Sequence, residues 1–195
     1  KYPDEFHIIT HSPNRGYGGA LKSGFSSATK QWVFYTDGDG QYDPSELLML
    51  IKNAGNDVDI VQGYKTIDGQ VRGRNDALHR KIIGRAYHHF VSIFFRLQIR
   101  DVDCDFRLIR TDVLKKLDLH NDSGVICLEL VRKLQDEKAR FVEVPVSHLA
   151  RPHGSSQFFN IPRVTKTLIA LMVEWKNLVA MPNIKRYYKK YKSHN

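Results

Sequence analysis

Cysteine is scarce: only Cys104 and Cys127 occur in 195 residues. Two cysteines cannot make a disulfide scaffold, nor a structural zinc site by themselves, and they read as reduced thiols of a cytosolic protein. Long apolar runs are missing too. No stretch approaches the ~18 uncharged apolar residues that a membrane-spanning helix needs, which excludes a buried span. There is no internal repeat, no low-complexity linker and no signal-peptide pattern before the first predicted strand. The first residue is Lys1 rather than Met, which raises the question of a fragment. What is present, 42% apolar and 26% charged residues, is the composition of a soluble globular protein with enough chain for one well-cored domain.

The net charge of +9 is unevenly divided. Residues 1–60 carry 5 basic and 8 acidic side chains, and residues 61–195 carry 25 basic and 13 acidic. A uniformly basic nucleic-acid binder has no reason to concentrate carboxylates in its front third. The division suits a site where acidic groups hold a cation and basic groups hold anionic ligands. For any single lysine, a solvated face is the plainer account.

Short apolar runs alternate with longer amphipathic ones, the pattern of an α/β domain. Strands are predicted over 6–10, 32–36, 59–62, 106–110 and 140–147. Helices are predicted over 20–28, from Pro44 onward, and over 77–98, 124–137 and 162–179. Pro44 suits a first helical turn, and Glu46 beside it favours the positive end of the dipole. Polar loops fill 64–76 and 149–160.

The sharpest local feature is Asp37-Gly38-Asp39-Gly40-Gln41, directly after an apolar strand. At the end of a parallel strand the chain enters the crevice where open α/β sheets bind ligands. A buried strand has little reason to end in two anions unless something neutralises them. Both carboxylates can reach one hard cation, and Mg²⁺ or Mn²⁺ would take further ligands from phosphates. The plain alternative is a solvated Asp-Gly turn. An EF-hand is excluded because Leu48 stands where the loop needs its twelfth-position Glu. A phosphate-loop reading of Gly16 to Ser23 fails as well: Leu21 occupies the position of the second glycine. These glycines instead predict tight helix-to-strand packing beside a ligand crevice.

An ordered set of motifs runs from Asn14–Ala20 with Gly24-Phe25 and Ala28 to Asp37-Gly38-Asp39-Gly40-Gln41 with Pro44. It continues through Gly63-Tyr64-Lys65, Arg74-Asn75-Asp76, Arg80 and Asp105-Phe106-Arg107-Leu108, and closes with Arg151-Pro152-His153-Gly154-Ser155-Ser156-Gln157. Taken in this order, the motifs resemble the polyprenyl-phosphate branch of family 2 glycosyltransferases, which includes the dolichyl-phosphate mannosyltransferases. The resemblance implies the GT-A fold, a Rossmann-like, mixed, mostly parallel sheet flanked by helices. A catalytic domain over 1–181 and a basic tail over 182–195 follow. The family's two opening strands are not found upstream of Phe6, so the fold is expected to be N-terminally incomplete, with an exposed sheet edge where they would pair.

The same resemblance implies transfer of a sugar from a nucleotide-diphosphate donor to an acceptor, polyprenyl (undecaprenyl or dolichyl) phosphate, with inversion. Asp37, Asp39 and Gln41 match the metal and donor-diphosphate motif, with Mg²⁺ or Mn²⁺ as cofactor. Asp39, Arg80 and Asp105 are the catalytic candidates; Lys65, Arg74, Arg107, Arg151 and Ser155 are the donor- and phosphate-binding ones. Lys65 stands where the family often has arginine, keeping the charge without the planar fork. A lipid phosphate is already largely ionised at neutral pH and needs positioning more than deprotonation. A hydroxyl acceptor would need a base, for which Asp103 and Asp105 are candidates, against structural ion pairs with Arg100 or Arg107.

After Pro182 the chain has five basic residues by Lys192, three tyrosines and no acid. Beside an amphipathic helix this suggests peripheral contact with the cytoplasmic face of an anionic membrane, and a solvated terminus is the plain alternative. Two other functions compete. Transfer to a glycan hydroxyl keeps the donor site, and a non-catalytic basic binding module discards the chemistry. Nucleic-acid binding is not expected, since it leaves the paired aspartates unexplained.

Overall fold

A computed structural model describes residues 6–65, 88–149 and 161–183, the side chains of 161–164 excepted. Helix α1 (Gly16–Ser27) leads into β1 (Trp32–Thr36), and a 3₁₀ turn (Pro44–Glu46) opens α2 (Leu47–Asn53). Then come β2 (Ile60–Lys65), helix α3 over 88–94, β3 (Phe106–Arg110) and the single turn α4 (Thr111–Leu114). Helix α5 (Ile126–Asp136), β4 (Phe141–Val146) and α6 (Ile161–Trp175) complete the order, α6 running on as a π turn (Lys176–Ala180).

The four strands form one sheet in the order β1-β3-β2-β4. β3 is antiparallel to both of its neighbours, and β2 is parallel to β4. Three strands therefore share a direction and end on the same side of the sheet. The alternating pattern predicts an α/β domain, and the mixed, mainly co-directional sheet is the one the family resemblance implies.

Strand periodicity sorts the side chains into two cores. Phe34, Val61, Phe106, Leu108, Val144 and Val146 face α2, where Leu50 and Tyr42 close that layer. On the opposite face Tyr35, Ile60 and Ile109 meet Phe25 of α1 and Leu130 and Leu134 of α5. A third cluster joins Val91 and Phe95 to Leu128 and Val131 of α5 and Leu171 of α6. The sheet is thus covered on both sides, as expected for a sheet with co-directional strands.

Several boundaries differ from the sequence reading, each for a physical reason. Residues 6–10 are irregular rather than a strand; Phe6 and Ile8 are 72% and 90% exposed, and no described strand pairs with them. A strand without a neighbour leaves its backbone groups unpaired. Helix α1 starts at Gly16, not at 20, because its glycines lie against another backbone. Gly18 N–H donates to the Asp122 carbonyl at 2.9 Å, and a Cβ at Gly18 would stand 2.2 Å from the Asn121 oxygen. The expected tight packing is present, against a loop rather than a strand. The region after Pro44 opens as a 3₁₀ turn, with the Asp43 carboxylate accepting from Ser45 N–H at 2.9 Å. Helix 77–98 ends earlier than expected: it is described from 88, stops at 94, and Arg96 takes φ +54°.

Candidate active site at the end of the sheet

The pairing register builds this site. Thr36 lies opposite Phe106, so Asp37 leaves β1 beside the point where Asp105 enters β3. Gln62 lies opposite Arg107, and β2 then runs on to Lys65 at the same end. Asp37, Asp39, Asp105 and Lys65 are therefore brought to one edge by topology, although up to 68 positions separate them in the chain.

Asp39 Oδ1 accepts the Gln41 N–H at 3.1 Å, and Gly40 between them takes φ +73°, a conformation that favours glycine. Gln41 is itself buried. Its side-chain amide donates to the Leu149 carbonyl at 3.0 Å, while its own carbonyl accepts the Leu149 N–H at 2.7 Å. The loop after β1 is thereby tied to the segment after β4, just before Arg151.

Asp105 is held from several sides. The Tyr17 hydroxyl is 3.1 Å from its Oδ2, the Tyr35 hydroxyl 3.4 Å from Oδ1, and Arg107 Nη1 3.3 Å from Oδ1. The Cys127 thiol also hydrogen-bonds to it; burial first, then the Asp105 charge, pushes that thiol up, so it stays a protonated donor. Tyr17 also lies 2.8 Å from Asp37 Oδ1. Burial, reinforced by the Asp105 charge, raises the Tyr17 phenol far above its ordinary range.

Arg107 requires a correction. The sequence reading puts it among the phosphate-binding groups, but its side chain is 1% exposed. Nε donates to Gln62 Oε1 at 2.5 Å, Nη1 to the Tyr35 hydroxyl and Nη2 to the Val102 carbonyl at 2.5 Å. Burial works against the cation, but the Tyr35 oxygen and the Asp105 carboxylate keep it charged. With its fork turned inward, Arg107 braces Asp105 from beneath. Gln62, fully buried, completes the brace by donating to the carbonyls of Gly63 and Cys104.

Lys65 stands at the rim. Its ammonium donates to the Asp103 carbonyl at 2.9 Å and lies 3.6 Å from Asp101 Oδ2. Asp103 is exposed. Cys104 is buried and its thiol is pushed up to about 12, chiefly by burial, and both cysteines are free thiols. Arg74, Arg80, Arg151 and Ser155 lie outside the described residues.

The donor set fits a hard divalent ion of the kind that takes few protein ligands. Asp37 and Asp39 are oxygen donors one residue apart, and the buried Thr36 hydroxyl beside them has no partner among the described residues. Among those residues no three acidic, histidine or cysteine side chains converge into a full cage. Such an ion would complete its shell from phosphate oxygens, as Mg²⁺ commonly does.

Sequence reasoning missed Tyr17, Tyr35 and Gln62. Tyr17 lay within a quoted motif, but its partners are 20 and 88 positions away. The polar Gln62 within an otherwise apolar strand was the one local signal.

Residues 1–118 match the family described as Glycosyl transferase family 2. The polyprenol monophosphomannose synthase of Mycolicibacterium smegmatis is 26% identical over 161 residues, covering 80% of this chain and 60% of that protein. The undecaprenyl-phosphate 4-deoxy-4-formamido-L-arabinose transferase of Klebsiella pneumoniae is 29% identical over 156 residues, covering 78% and 44%. The chain thus spans about half the length of these curated relatives. Among solved structures, the glucosyl-3-phosphoglycerate synthase of Mycobacterium tuberculosis with UDP superposes with a TM-score of 0.59 at 13% identity, covering 90% of this chain and 58% of that one. A structure of the same synthase with Mn²⁺ and UDP-glucose gives 0.54 at 14%, covering 90% and 57%. At that identity the likeness is one of fold.

Proposed function

The chain belongs to glycosyl transferase family 2, and from that premise we propose that its protein transfers a sugar from a nucleotide-diphosphate donor to polyprenyl phosphate, with inversion. The observation that carries this reading is the convergence of Asp37, Asp39 and Asp105 at the end of one sheet. The names of the curated relatives, which specify polyprenyl-phosphate products or acceptors, support the lipid acceptor.

In this reading Asp37, Asp39 and Gln41 hold Mg²⁺ or Mn²⁺, as the Mn²⁺–UDP-glucose complex of the structural relative encourages. The ion, when bound, neutralises charge on the leaving diphosphate. Lys65, at the rim, adds positive charge beside the departing group, and Arg74, Arg151 and Ser155 take the phosphate-binding roles, and Arg80 the catalytic one, that the family resemblance implies. The acceptor oxygen attacks the anomeric carbon as its bond to the diphosphate breaks, and nucleoside diphosphate leaves. A phosphate acceptor needs no base at neutral pH. For a hydroxyl acceptor, Asp105 would receive the proton.

A lipid acceptor calls for contact with a membrane surface. Among the described residues no helix is long and apolar enough to cross one. Helix α6, however, exposes Leu168, Ile169, Met172 and Val173, with Phe90 and Ile93 exposed on α3, and Phe94 of α3 stacks on Trp175 at 4.8 Å. An apolar face of this kind, followed by the basic stretch 185–192, suits peripheral attachment. Labelled UDP- and GDP-sugars, short polyprenyl phosphates and Mn²⁺ test the reading. Chelator-sensitive lipid-linked product supports it, whereas transfer only to a glycan hydroxyl moves the acceptor. No transfer to either would leave the binding-module alternative.

A further inference from the structure

The best-defined feature that the proposed reaction leaves unused is one hydroxyl between two carboxylates. Tyr17 Oη stands 2.8 Å from Asp37 Oδ1 and 3.1 Å from Asp105 Oδ2. A phenol has a single hydrogen to donate, so the two carboxylates share it. One belongs to the loop after β1 and the other to the start of β3, and Asp105 is in turn fixed by Arg107.

The support behind Tyr17 is unusually rigid for a helix start. Gly16 and Gly18 lie against the Asp122 backbone, and Lys22 clamps the same residue with an ion pair of 2.7 Å. The segment they meet is anchored as well. The fully buried Glu129 carboxylate accepts the N–H groups of His120 and Asn121 at 2.8 and 2.9 Å, and Asn121 donates its side-chain amide to Glu174 of α6 at 2.7 Å. The first turn of α1 is therefore held on two further helices, and the phenol is aimed by that framework rather than by local chain preference.

We infer that Tyr17 is a positioning residue, its hydroxyl locking Asp37 of the loop after β1 to Asp105 at the start of β3 so that the two carboxylates keep one fixed spacing. The inference rests on the transfer reading above for its kinetic consequence, but its structural content stands apart from it.

Tyr17→Phe in the intact protein removes the hydroxyl and keeps the ring. At fixed pH, ¹³C-carboxyl NMR with Asp37 and Asp105 signals assigned through Asp37→Asn and Asp105→Asn should show both resonances displaced. Movement of only one, or of neither, overturns the shared lock. In the transfer assay kcat should fall about ten- to a hundredfold, while KM for the donor stays within about threefold. If Tyr17 acts through Asp105, the Tyr17→Phe/Asp105→Asn protein is no slower than Asp105→Asn alone, to within about twofold. Multiplying effects overturn the inference and leave the transferase reading standing. If the wild-type protein transfers nothing, the proposed function falls, and the carboxyl resonances alone decide the lock.

Discussion

Replacing Arg107 by methionine should cost far more than the loss of one surface charge. In the folded protein the guanidinium serves Gln62, Tyr35, the Val102 carbonyl and Asp105 while 1% exposed. Methionine fills much of the space but leaves a partly buried carboxylate without its cation and three further acceptors short of a donor. Breaking a buried ion pair by removing one partner costs about 3–5 kcal/mol, and each unsatisfied buried group is worth about 1–3 kcal/mol. These terms overlap, so about 3–5 kcal/mol is the reasoned loss. For a domain of this size it corresponds to a fall in Tm of about 6–20 °C. Against a typical total of about 5–15 kcal/mol it could approach complete unfolding. Arg107→Lys is the softer companion: it keeps the charge, loses the planar fork and should fall between the two. Urea unfolding followed by the fluorescence of Trp32 and Trp175 measures both, with the m-value checking that the unfolded state is unchanged. A loss below about 1 kcal/mol for Arg107→Met would refute the brace.

Other expectations concern separate parts of the molecule. Gly18→Ala should destabilise by about 1–3 kcal/mol, because its Cβ meets the Asn121 carbonyl at 2.2 Å. Gly24→Ala in the same helix, with nothing within 4 Å, should stabilise by about 0.5–1 kcal/mol; thermal melts compare the two. The Arg140 guanidinium, bonded to Asp59 at 3.0 and 3.1 Å, holds that carboxyl below its ordinary 3.8. A depressed folded value means stability that is fully present above about pH 4 and is lost as pH falls through the folded value. The Tm advantage of wild type over Asp59→Asn should therefore shrink on acidification below pH ~4 and be unchanged between about pH 6 and 8.

Much of the architecture is legible in local pattern. The largely apolar run at 32–36 is a strand with those bounds, since apolar character between turn residues leaves little choice; Phe106–Arg110 is a strand with the expected bounds too, although two arginines interrupt its apolar residues. The Asp37–Gln41 turn and the position of Pro44 are likewise visible. The start of α1 is not. Glycines disfavour a helix on their own, and only their contact with the 121–122 backbone explains why one begins at Gly16. Residues 6–10 have strand composition but no described neighbour, and pairing is not a local property. The inward turn of Arg107 hides for the same reason: an Asp-Phe-Arg sequence reads as a charged rim until Gln62 and Tyr35 are seen to receive the guanidinium. A site assembled by sheet register is written across the whole chain, so a motif shows which residues matter more readily than which way they face.

The central claim is that Asp37 and Asp39 mark a metal-dependent donor-diphosphate site. Calorimetric titration of UDP and GDP into the intact protein, with Mn²⁺ or with chelator, tests it most directly when repeated on Asp39→Asn. One nucleotide should bind in the presence of Mn²⁺, with affinity falling at least about tenfold under chelation and in the variant. Equal nucleotide affinity in Asp39→Asn and wild type, with or without the ion, would contradict it.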